Sequence, residues 1–371
     1  MKILAIETSC DDTCVSILEA KKGDLRFLSS IISSQIEVHR QWGGVYPTLA
    51  KREHQKNLVP TLKEALLEAD MLESGKTEVE DSETLSDLLV REEGLEKRLS
   101  SFFEDFTIPQ IDYIAVTVGP GLDPSLWAGI NFAKSLSLAW NKPIIAVNHI
   151  EAHFLAPLII NKGEFPSVSL LASGGHTQLI VSQSLSEHEV VGKTRDDAAG
   201  ECFDKTARIL GLDYPGGPEI AKLAKEETTK EVKLPRPMLR SKDYDFSFSG
   251  LKTAVLYRWK EEKNRDREFK IAMAKEIQES ITEVLTLKTF KAVEEFNAKT
   301  VVVGGGVSAN KRLRERIRKK GEGRRVILPD LDFSTDNAKM IAVTAHYKIK
   351  EGEAEIADWK SLKSRPNLKI N

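Results

Sequence analysis

The sequence predicts an α/β protein made of two similar halves. Near the N-terminus, a short apolar strand at residues 3–6 is followed by a polar turn and two further strands. The same order of strand, polar turn, strand and strand returns at residue 168, about half a chain later. Each set is followed by helix-like spacing and by further strands, including residues 112–118 and 300–303. The repetition predicts two related α/β subdomains, each presenting a hairpin turn to one cleft.

The first half contains the strands and helices that open this pattern. Residues 14–18 and 27–32 are the second and third strands, joined by a polar hairpin turn at 21–24. Apolar residues at helical spacing predict helices at 58–67 and 126–138. Ligands of open α/β sheets bind at the carboxyl ends of such strands.

A segment of different composition interrupts this half at residues 72–107. Its beginning, residues 74–81, is acidic and linker-like, whereas residues 84–103 are amphipathic. We expect one inserted helix packed on its own domain, and a helix that binds a partner protein is the open alternative.

The second half repeats the strands and adds more helices. Strands are predicted at 168–172, 177–181 and 190–193. Helical spacing is found at residues 207–210, 220–225, 269–296, 308–320 and 335–350. Thr335 is the expected cap of the last helix.

The expected domain limits follow from this order of elements. Residues 1–140 form the N-terminal subdomain and residues 141–371 the C-terminal subdomain. The last helix is expected either to stay with the second subdomain or to pack back on the first.

Charge and cysteine content restrict the class of protein. The net charge of the 371 residues is -2, which argues against a global basic field for nucleic acid. The three cysteines, Cys10, Cys14 and Cys202, lack a CxxC spacing, so we expect free thiols and a cytoplasmic protein. No apolar run has the length of a signal peptide or a membrane span, so no membrane association is expected.

Two histidines form the most specific chemical signal. His149 and His153 are four residues apart at the start of a predicted helix, so both imidazoles can reach one metal ion. Asp336, at a helix start after a late strand, is the best candidate for a third ligand. Surface or core histidines, and an Asp336 that merely caps its helix, remain open alternatives. Glu151 does not directly follow the first histidine, as a zincin protease requires.

Glycine turns supply candidate nucleotide-binding segments. Residues 119–129, 173–176 and 304–306 each follow a strand and offer backbone amides to an anion. Asn310 follows the last turn with a side-chain amide that can contact a sugar or base. Neither a P-loop nor a GxGxxG motif after the first strand is present.

Acidic and basic clusters leave their roles open. Glu7, Asp11 and Asp12 crowd the first turn and can orient water, a cation or an attacking group, or form a solvated turn. Residues 311–320 are strongly basic, and basic and aromatic residues alternate between 236 and 252. Both runs suit RNA phosphates and bases, although a solvated face and core aromatic rings explain them equally well.

The chain resembles the bacterial members of the TsaD/Gcp family. The motifs that carry the resemblance occur in the family's order over nearly the whole chain. They are Ile6-Glu-Thr-Ser-Cys-Asp11, Gly43-Gly-Val-Tyr-Pro47, Arg52-Glu-His54, Gly119-Pro-Gly-Leu122, His149-Ile-Glu-Ala-His153, Ser173-Gly-Gly-His-Thr177, Asp196-Asp-Ala-Ala-Gly-Glu-Cys-Phe-Asp-Lys205, Tyr214-Pro-Gly-Gly-Pro218, Phe246-Ser-Phe-Ser-Gly-Leu-Lys252, Gly304-Gly-Gly-Val-Ser-Ala-Asn310 and Thr335-Asp-Asn337.

The resemblance implies an actin-like ATPase (ASKHA) fold around a central nucleotide cleft. It also implies a tRNA N6-adenosine threonylcarbamoyltransferase. Such enzymes transfer threonylcarbamoyl from threonylcarbamoyl-AMP to adenosine 37 of tRNAs that read ANN codons. The partners implied are tRNA, a TsaB-like paralogue and a TsaE-like P-loop ATPase.

The resemblance also implies roles for individual residues. The implied ligands of one divalent metal ion are His149, His153 and Asp336, with Fe2+ as the preferred ion and Zn2+ as the alternative. The adenylate would be held by Leu171, Ala172, Ser173, Gly174, Gly175, Asp204, Gly217 and Asn310. Asp11 is our hypothesis for a group that orients or deprotonates the target amine.

Three features depart from the family pattern. Pro124 stands where a glycine is usual, Ala221 replaces an acidic or polar residue, and the segment 72–107 is longer than usual. The competing functions are a metalloprotease that uses the histidine pair, a kinase or ATPase of the same fold, and a non-enzymatic nucleotide-binding scaffold.

Overall fold

The computed structural model describes residues 1–370, without the side chains of residues 331, 332 and 357. In this part of the chain the strands are β1 (Lys2–Glu7), β2 (Asp12–Lys21), β3 (Asp24–Ser34), β4 (Tyr113–Gly119), β5 (Ile144–Asn148), β6 (Ser167–Ala172), β7 (Thr177–Ser182), β8 (His188–Lys193), β9 (Thr300–Gly304), β10 (Arg325–Ile327) and β11 (Ile356–Ala357). The helices are α1 (Ile36–Arg40), α2 (Pro47–Glu68), α3 (Ser82–Leu89), α4 (Leu95–Asp105), α5 (Asp123–Trp140), α6 (His149–Ile160), α7 (Ala199–Ile209), α8 (Gly216–Leu223), α9 (Ser249–Glu261), α10 (Arg267–Glu295), α11 (Lys311–Lys320), α12 (Leu331–Ser334) and α13 (Ala338–Glu351). A 3-10 turn, Gly306–Ala309, precedes α11.

The first sheet has six strands in the order β11-β5-β4-β1-β2-β3. Its strands β1, β2 and β3 are antiparallel neighbours, whereas β4 pairs parallel with β1 and β5 parallel with β4. The apolar runs of β1, β4 and β5 are almost completely buried, and α2, α5 and α13 pack against this sheet. The carboxyl ends of three parallel strands therefore meet at one edge.

The second sheet has five strands in the order β10-β9-β6-β7-β8. Antiparallel β6, β7 and β8 with parallel β9 and β10 reproduce the arrangement of β1, β2, β3, β4 and β5 in the first sheet. The two similar α/β halves predicted from the repeated strand pattern are confirmed.

The chain divides into two compact units. Unit 1 comprises residues 1–38, 45–156 and 336–369, and unit 2 comprises residues 39–44, 157–335 and 370. The division differs from the sequence-based limit at residue 140 because β5 pairs with β4, and because α13 packs against β1 and β2. The subdomain limits 1–140 and 141–371 stay a prediction.

The inserted segment at residues 72–107 forms two helices where its apolar spacing predicts one. α3 ends at Leu89, and Gly94 has a φ of +68° just before α4, a left-handed conformation that glycine adopts readily. The buried apolar residues of α3 and α4 belong to the core of unit 1.

Glu92, in the loop between these helices, contacts side chains of α2 and α5. Its buried carboxylate accepts hydrogen bonds from Gln55 at 2.8 Å and Asn131 at 3.0 Å, and it pairs with Lys51 at 3.4 Å. Satisfying a buried charge with three donors makes this loop a fixed part of unit 1.

No helix within the described residues is both long and apolar enough for a membrane crossing. Cys10, Cys14 and Cys202 are free thiols.

Candidate functional site

The two histidines of the HxxxH motif meet Asp336 in unit 1. Asn148, the last residue of β5, caps α6 by accepting from the amides of Ile150 and Glu151, so the helix begins at His149. One helical turn then brings the rings of His149 and His153 within 4.6 Å between centroids. Oδ1 of Asp336 lies 3.1 Å from Nε2 of His153 and 3.6 Å from Nε2 of His149.

These three side chains fit a metal ion. One ligand atom from each lies within 4.8 Å of the other two. The buried imidazoles offer nitrogen ligand atoms, and the half-buried carboxylate offers an oxygen. Two histidines and one carboxylate leave coordination positions open, which is typical of catalytic rather than structural metal sites.

The alternative role of Asp336 as a helix cap is not what the structure shows. The cap of α13 is Asn337, whose Oδ1 accepts from the amide of Met340 at 3.0 Å. The expectation that Thr335 caps this helix is therefore wrong, because the helix begins at Ala338 and Asn337 holds the cap position. Asp336 is left to face the histidines.

Glu7 lies behind His149, on the side away from Asp336. Its Oε2 is 3.1 Å from Nδ1 of His149 and accepts from Thr117 Oγ1 at 2.5 Å. Burial lowers the pKa of His149, but the charges of Glu7 and Asp336 outweigh burial and raise it to about 9. The pKa of Glu7 is lowered: burial raises it, and the charge and hydrogen bond of His149 prevail.

The other two acidic residues of the first turn belong to the same unit. Asp11 is half-buried between β1 and β2. Burial, followed by the charge of Asp11, raises the pKa of Asp12 to about 7, and Asp336 adds to this effect. The thiol of Cys14 also contacts the carbonyl of Asp336. The acidic turn and Asp336 therefore share one electrostatic environment.

Glu151 does not have the position of a protease base. Its carboxylate pairs with Lys348 of α13 at 2.5 Å, and both side chains are largely buried. The metalloprotease alternative has no support in this geometry.

In unit 2, the turn after β6 is open to a ligand. The side chains of Leu171 and Ala172 are buried in the sheet, so only their backbone can contact a nucleotide. Gly174 and Gly175 are exposed, and a Cβ added at either would meet no atom within 4 Å. Ser173 closes the turn by accepting from the amide of His176 at 3.1 Å.

Gly200 and Gly305 allow this turn to form, and of the two only Gly305 lies in a glycine turn that the sequence predicted to bind an anion. A Cβ at Gly200, at the start of α7, would lie 2.6 Å from the carbonyl of Ser173. A Cβ at Gly305, where φ is +81°, would lie 2.6 Å from the carbonyl of Ala172. Position within a glycine-containing motif was the only signal in the sequence, since close backbone approach leaves no periodic pattern.

Asp204 and Gly217 are brought together at the start of α8. Oδ1 of Asp204 accepts from the amide of Gly216 at 2.7 Å. Gly216 has no room for a Cβ, whereas a Cβ at Gly217 would make only one distant contact, 3.9 Å from Phe203. Asp204 thus fixes the turn that presents Gly217. Ala221 lies one turn further along α8, and nothing in the described part of the chain explains its departure from the family pattern.

Asn310 serves as a helix cap in this structure. Its Oδ1 accepts from the amide of Leu313, and its Nδ2 donates to Gln278, each at 3.1 Å. The preceding 3-10 turn contacts both β6 and α7. The predicted contact of Asn310 with adenosine stays a prediction.

The remaining predictions divide between core and surface. Tyr244, Phe246 and Phe248 are buried in the core of unit 2, so the hypothesis that these rings stack on RNA bases is wrong. Arg312 and Arg316 both bind Glu279, whereas the end of α11 is exposed.

Pro124 occupies the first turn of α5, where proline fits because its missing amide hydrogen is not needed.

Comparisons with known proteins agree with the motif resemblance. A family model described as "TsaD: tRNA N6-adenosine threonylcarbamoyltransferase" matches residues 26–75 and 98–343. A tRNA N6-adenosine threonylcarbamoyltransferase from Persephonella marina is 45% identical over 357 residues, covering 95% of this chain and 91% of its own. One from Thermosipho africanus is 44% identical over 373 residues and covers 100% of both chains.

A solved structure supports the fold. Full-length HypF, in a phosphate- and nucleotide-bound form, aligns with a TM-score of 0.54 at 13% identity, covering 95% of this chain and 56% of that one. The likeness concerns the fold alone, which is the actin-like ATPase fold predicted from the sequence. The stretch between the two segments matched by the family model, residues 76–97, lies inside the insertion and includes α3.

Proposed function

Because the chain belongs to the TsaD family of tRNA N6-adenosine threonylcarbamoyltransferases, we propose that it modifies tRNA by one defined acyl transfer. The threonylcarbamoyl group moves from threonylcarbamoyl-AMP to N6 of adenosine 37 in tRNAs that read ANN codons. The observation that carries the proposal is the convergence of His149, His153 and Asp336. A nucleotide-binding scaffold without chemistry has no use for this ligand set.

The proposed cofactor is one divalent cation, with Fe2+ as the preferred ion and Zn2+ as the alternative. Two imidazoles and a carboxylate with open positions suit ferrous iron, and catalytic zinc also uses three protein ligands. When bound, the cation would supply Lewis acidity toward the carbamoyl oxygen of the donor. The residues of the chain then have to hold the donor, orient the amine and accept its proton.

The proposed donor site uses backbone and side chains of unit 2. In this proposal the backbone amides of the exposed Gly174 and Gly175 contact the phosphate of the adenylate. Asp204 and the turn at Gly217 contact the ribose, and Asn310 contacts the adenosine portion. Leu171, Ala172 and Ser173 contribute through their backbone. The open space at the two glycines supports this arrangement.

The reaction needs no covalent intermediate on the protein. The donor is a mixed anhydride, so AMP leaves readily and the amine of adenosine attacks the carbamoyl carbon directly. The cysteines agree with this, because burial raises the pKa of the Cys10, Cys14 and Cys202 thiols and keeps them protonated. Positioning supplies much of the rate, and Asp11 orients the amine or accepts its proton.

The proposed partners follow from the same reaction. They are the substrate tRNA, a TsaB-like paralogue and a TsaE-like P-loop ATPase, in the cytoplasm. A separate enzyme forms the adenylate from threonine, bicarbonate and ATP.

Reconstitution tests the proposal. Unmodified tRNA, threonine, bicarbonate and ATP are incubated with this protein and its cognate partners, and nucleosides are identified by mass spectrometry. Threonylcarbamoyladenosine forms only when this chain is present. Its absence, with partners shown to be active with another family member, would contradict the proposal.

The variant Asp11→Ala, assayed with preformed adenylate, tests the role of Asp11. Near-normal turnover with intact donor binding would show that Asp11 has no part in the reaction.

A further inference from the structure

We propose that Glu7 is a positioning residue that fixes the tautomer and the ring orientation of His149, so that Nε2 of this histidine is presented to the cation. The inference deepens the proposed function and rests on its metal site. In this role Glu7 does not bind the cation itself but contacts His149, which does.

The sheet brings the necessary residues together. Glu7 ends β1, Thr117 lies near the end of β4, and His149 follows β5, and these are three neighbouring parallel strands. The pairing of Ile6 with Val116, and of Thr117 with Val147, sets their carboxyl ends side by side. The arrangement is therefore built into the sheet register.

Every oxygen of the Glu7 carboxylate is used. Oε1 accepts from the amide of Ser9 at 2.5 Å, and Oε2 accepts from Thr117 Oγ1 at 2.5 Å. Oε2 also lies 3.1 Å from Nδ1 of His149. The side chain is fully buried, so these bonds hold the carboxylate in one place.

The chemistry of a carboxylate decides the tautomer of His149. An ionised carboxylate accepts hydrogen bonds but cannot donate one, so Nδ1 of His149 must carry a hydrogen. In neutral imidazole the lone pair is then on Nε2, the atom that faces Asp336 at 3.6 Å. A carboxylate behind a metal-bound histidine acts in this way in many metal sites and makes the ligand more basic.

The second histidine lacks such a support. Within the described part of the chain, Nδ1 of His153 is buried and has no hydrogen-bond partner. Of the two imidazoles, His149 is therefore the one whose ring is set before the cation arrives.

The test measures Zn2+ affinity by competition with a chromophoric chelator, with no dependence on turnover. Glu7→Gln keeps the shape, but its amide can donate to Nδ1 and favour the wrong tautomer. We expect a loss of affinity of about 10- to 100-fold. Ser9→Ala is the matched control, since Ser9 Oγ lies 3.2 Å from the same nitrogen, and it should change affinity by less than about threefold.

Long-range 1H–15N spectra of histidine-labelled, zinc-bound protein provide a second readout. Wild-type protein should show His149 with the hydrogen on Nδ1, and Glu7→Gln should lose that signature. Unchanged affinity and an unchanged tautomer in Glu7→Gln would overturn the inference. Should that variant not fold, Thr117→Val removes the bond that holds Oε2 and leaves the charge. It should weaken binding severalfold, and unchanged affinity would equally overturn the inference.

The outcomes separate this inference from the proposed metal site. If wild-type protein binds no Zn2+ and His149→Ala changes nothing, the metal site itself fails. If wild-type protein binds Zn2+ through His149 and Glu7→Gln binds equally well, only the role of Glu7 fails.

Discussion

Oδ1 of Asp336 lies 3.1 Å from Nε2 of His153, although 183 positions separate the two residues in the chain. The histidine stands one turn into α6, directly after β5. The aspartate precedes α13, which packs against β1 and β2 of the same unit. The proposed metal site therefore depends on a late helix that returns to the first sheet.

Two adjacent substitutions separate metal binding from helix capping. Asp336→Ala should weaken Zn2+ binding by more than about 100-fold, because a ligand is lost and not merely its support. Asn337→Ala should keep the affinity but lower the stability of the metal-free protein by about 1 kcal/mol, since the cap of α13 is lost. Chelator competition and thermal unfolding measure the two effects. Equal losses of affinity in both variants would contradict the assignment.

Metal uptake should release a proton. The pKa of His149 is raised to about 9 by Glu7 and Asp336 against the effect of burial, so in metal-free protein the imidazole is protonated at neutral pH. A cation binds only the neutral ring. At about pH 7.5, calorimetry in buffers of different ionisation enthalpy should show release of about one proton. Affinity should rise with pH up to about 9, and a heat independent of the buffer would contradict this.

The same pKa has a consequence for stability. Because the folded value is above the ordinary value of 6.5, the protonated imidazole stabilises the metal-free protein below that pH. This contribution is lost as pH rises toward about 9. Bound metal replaces it, so the metal-loaded protein should not show this loss.

The histidine pair of the proposed metal site could be predicted from sequence because its signal is local. The i, i+4 spacing of His149 and His153 needs only the geometry of a helix. The position of Glu7 behind His149 could not be predicted, since it depends on the register of β1, β4 and β5. For the same reason, the sequence placed Glu7 in the first turn but did not show that it contacts His149.

The inserted segment should be held by Glu92. Glu92→Ala removes a buried carboxylate and leaves Lys51, Gln55 and Asn131 without their shared acceptor. We expect a loss of about 2–3 kcal/mol, or a thermal midpoint lower by roughly 4–10 °C. The neighbouring exposed Glu93→Ala is the control and should change the midpoint by no more than about 1–2 °C. Equal effects would show that the insertion is held by its apolar residues alone.

The donor turn should depend on Gly200. Gly200→Ala places a Cβ 2.6 Å from the carbonyl of Ser173, so either the turn or α7 must shift. Binding of a non-hydrolysable adenylate analogue should weaken about tenfold or more, because a shift of about 1 Å misplaces the bound group. Gly250→Ala, in open space on α9, should bind normally. Unchanged binding in Gly200→Ala would place the nucleotide away from this turn.

Helix ends and aromatic residues show where sequence reasoning is limited. Residues 84–103 have one continuous amphipathic pattern, yet Gly94 divides them, because its backbone conformation does not follow from apolar spacing. Tyr244, Phe246 and Phe248 alternate with basic residues, but the rings enter the core and the charges do not. A linear pattern cannot distinguish a buried ring from an exposed one without the neighbouring helices.

The most direct measurement of the central claim uses preformed threonylcarbamoyl-AMP and unmodified tRNA, with the partner proteins present and no ATP-dependent donor synthesis. Modified nucleoside is quantified over one turnover for metal-loaded wild-type protein, metal-depleted protein and Asp336→Ala. We predict that the loaded protein forms threonylcarbamoyladenosine and that the other two samples lose at least about 100-fold of this product. Equal product from all three would contradict the claim that His149, His153 and Asp336 carry the reaction.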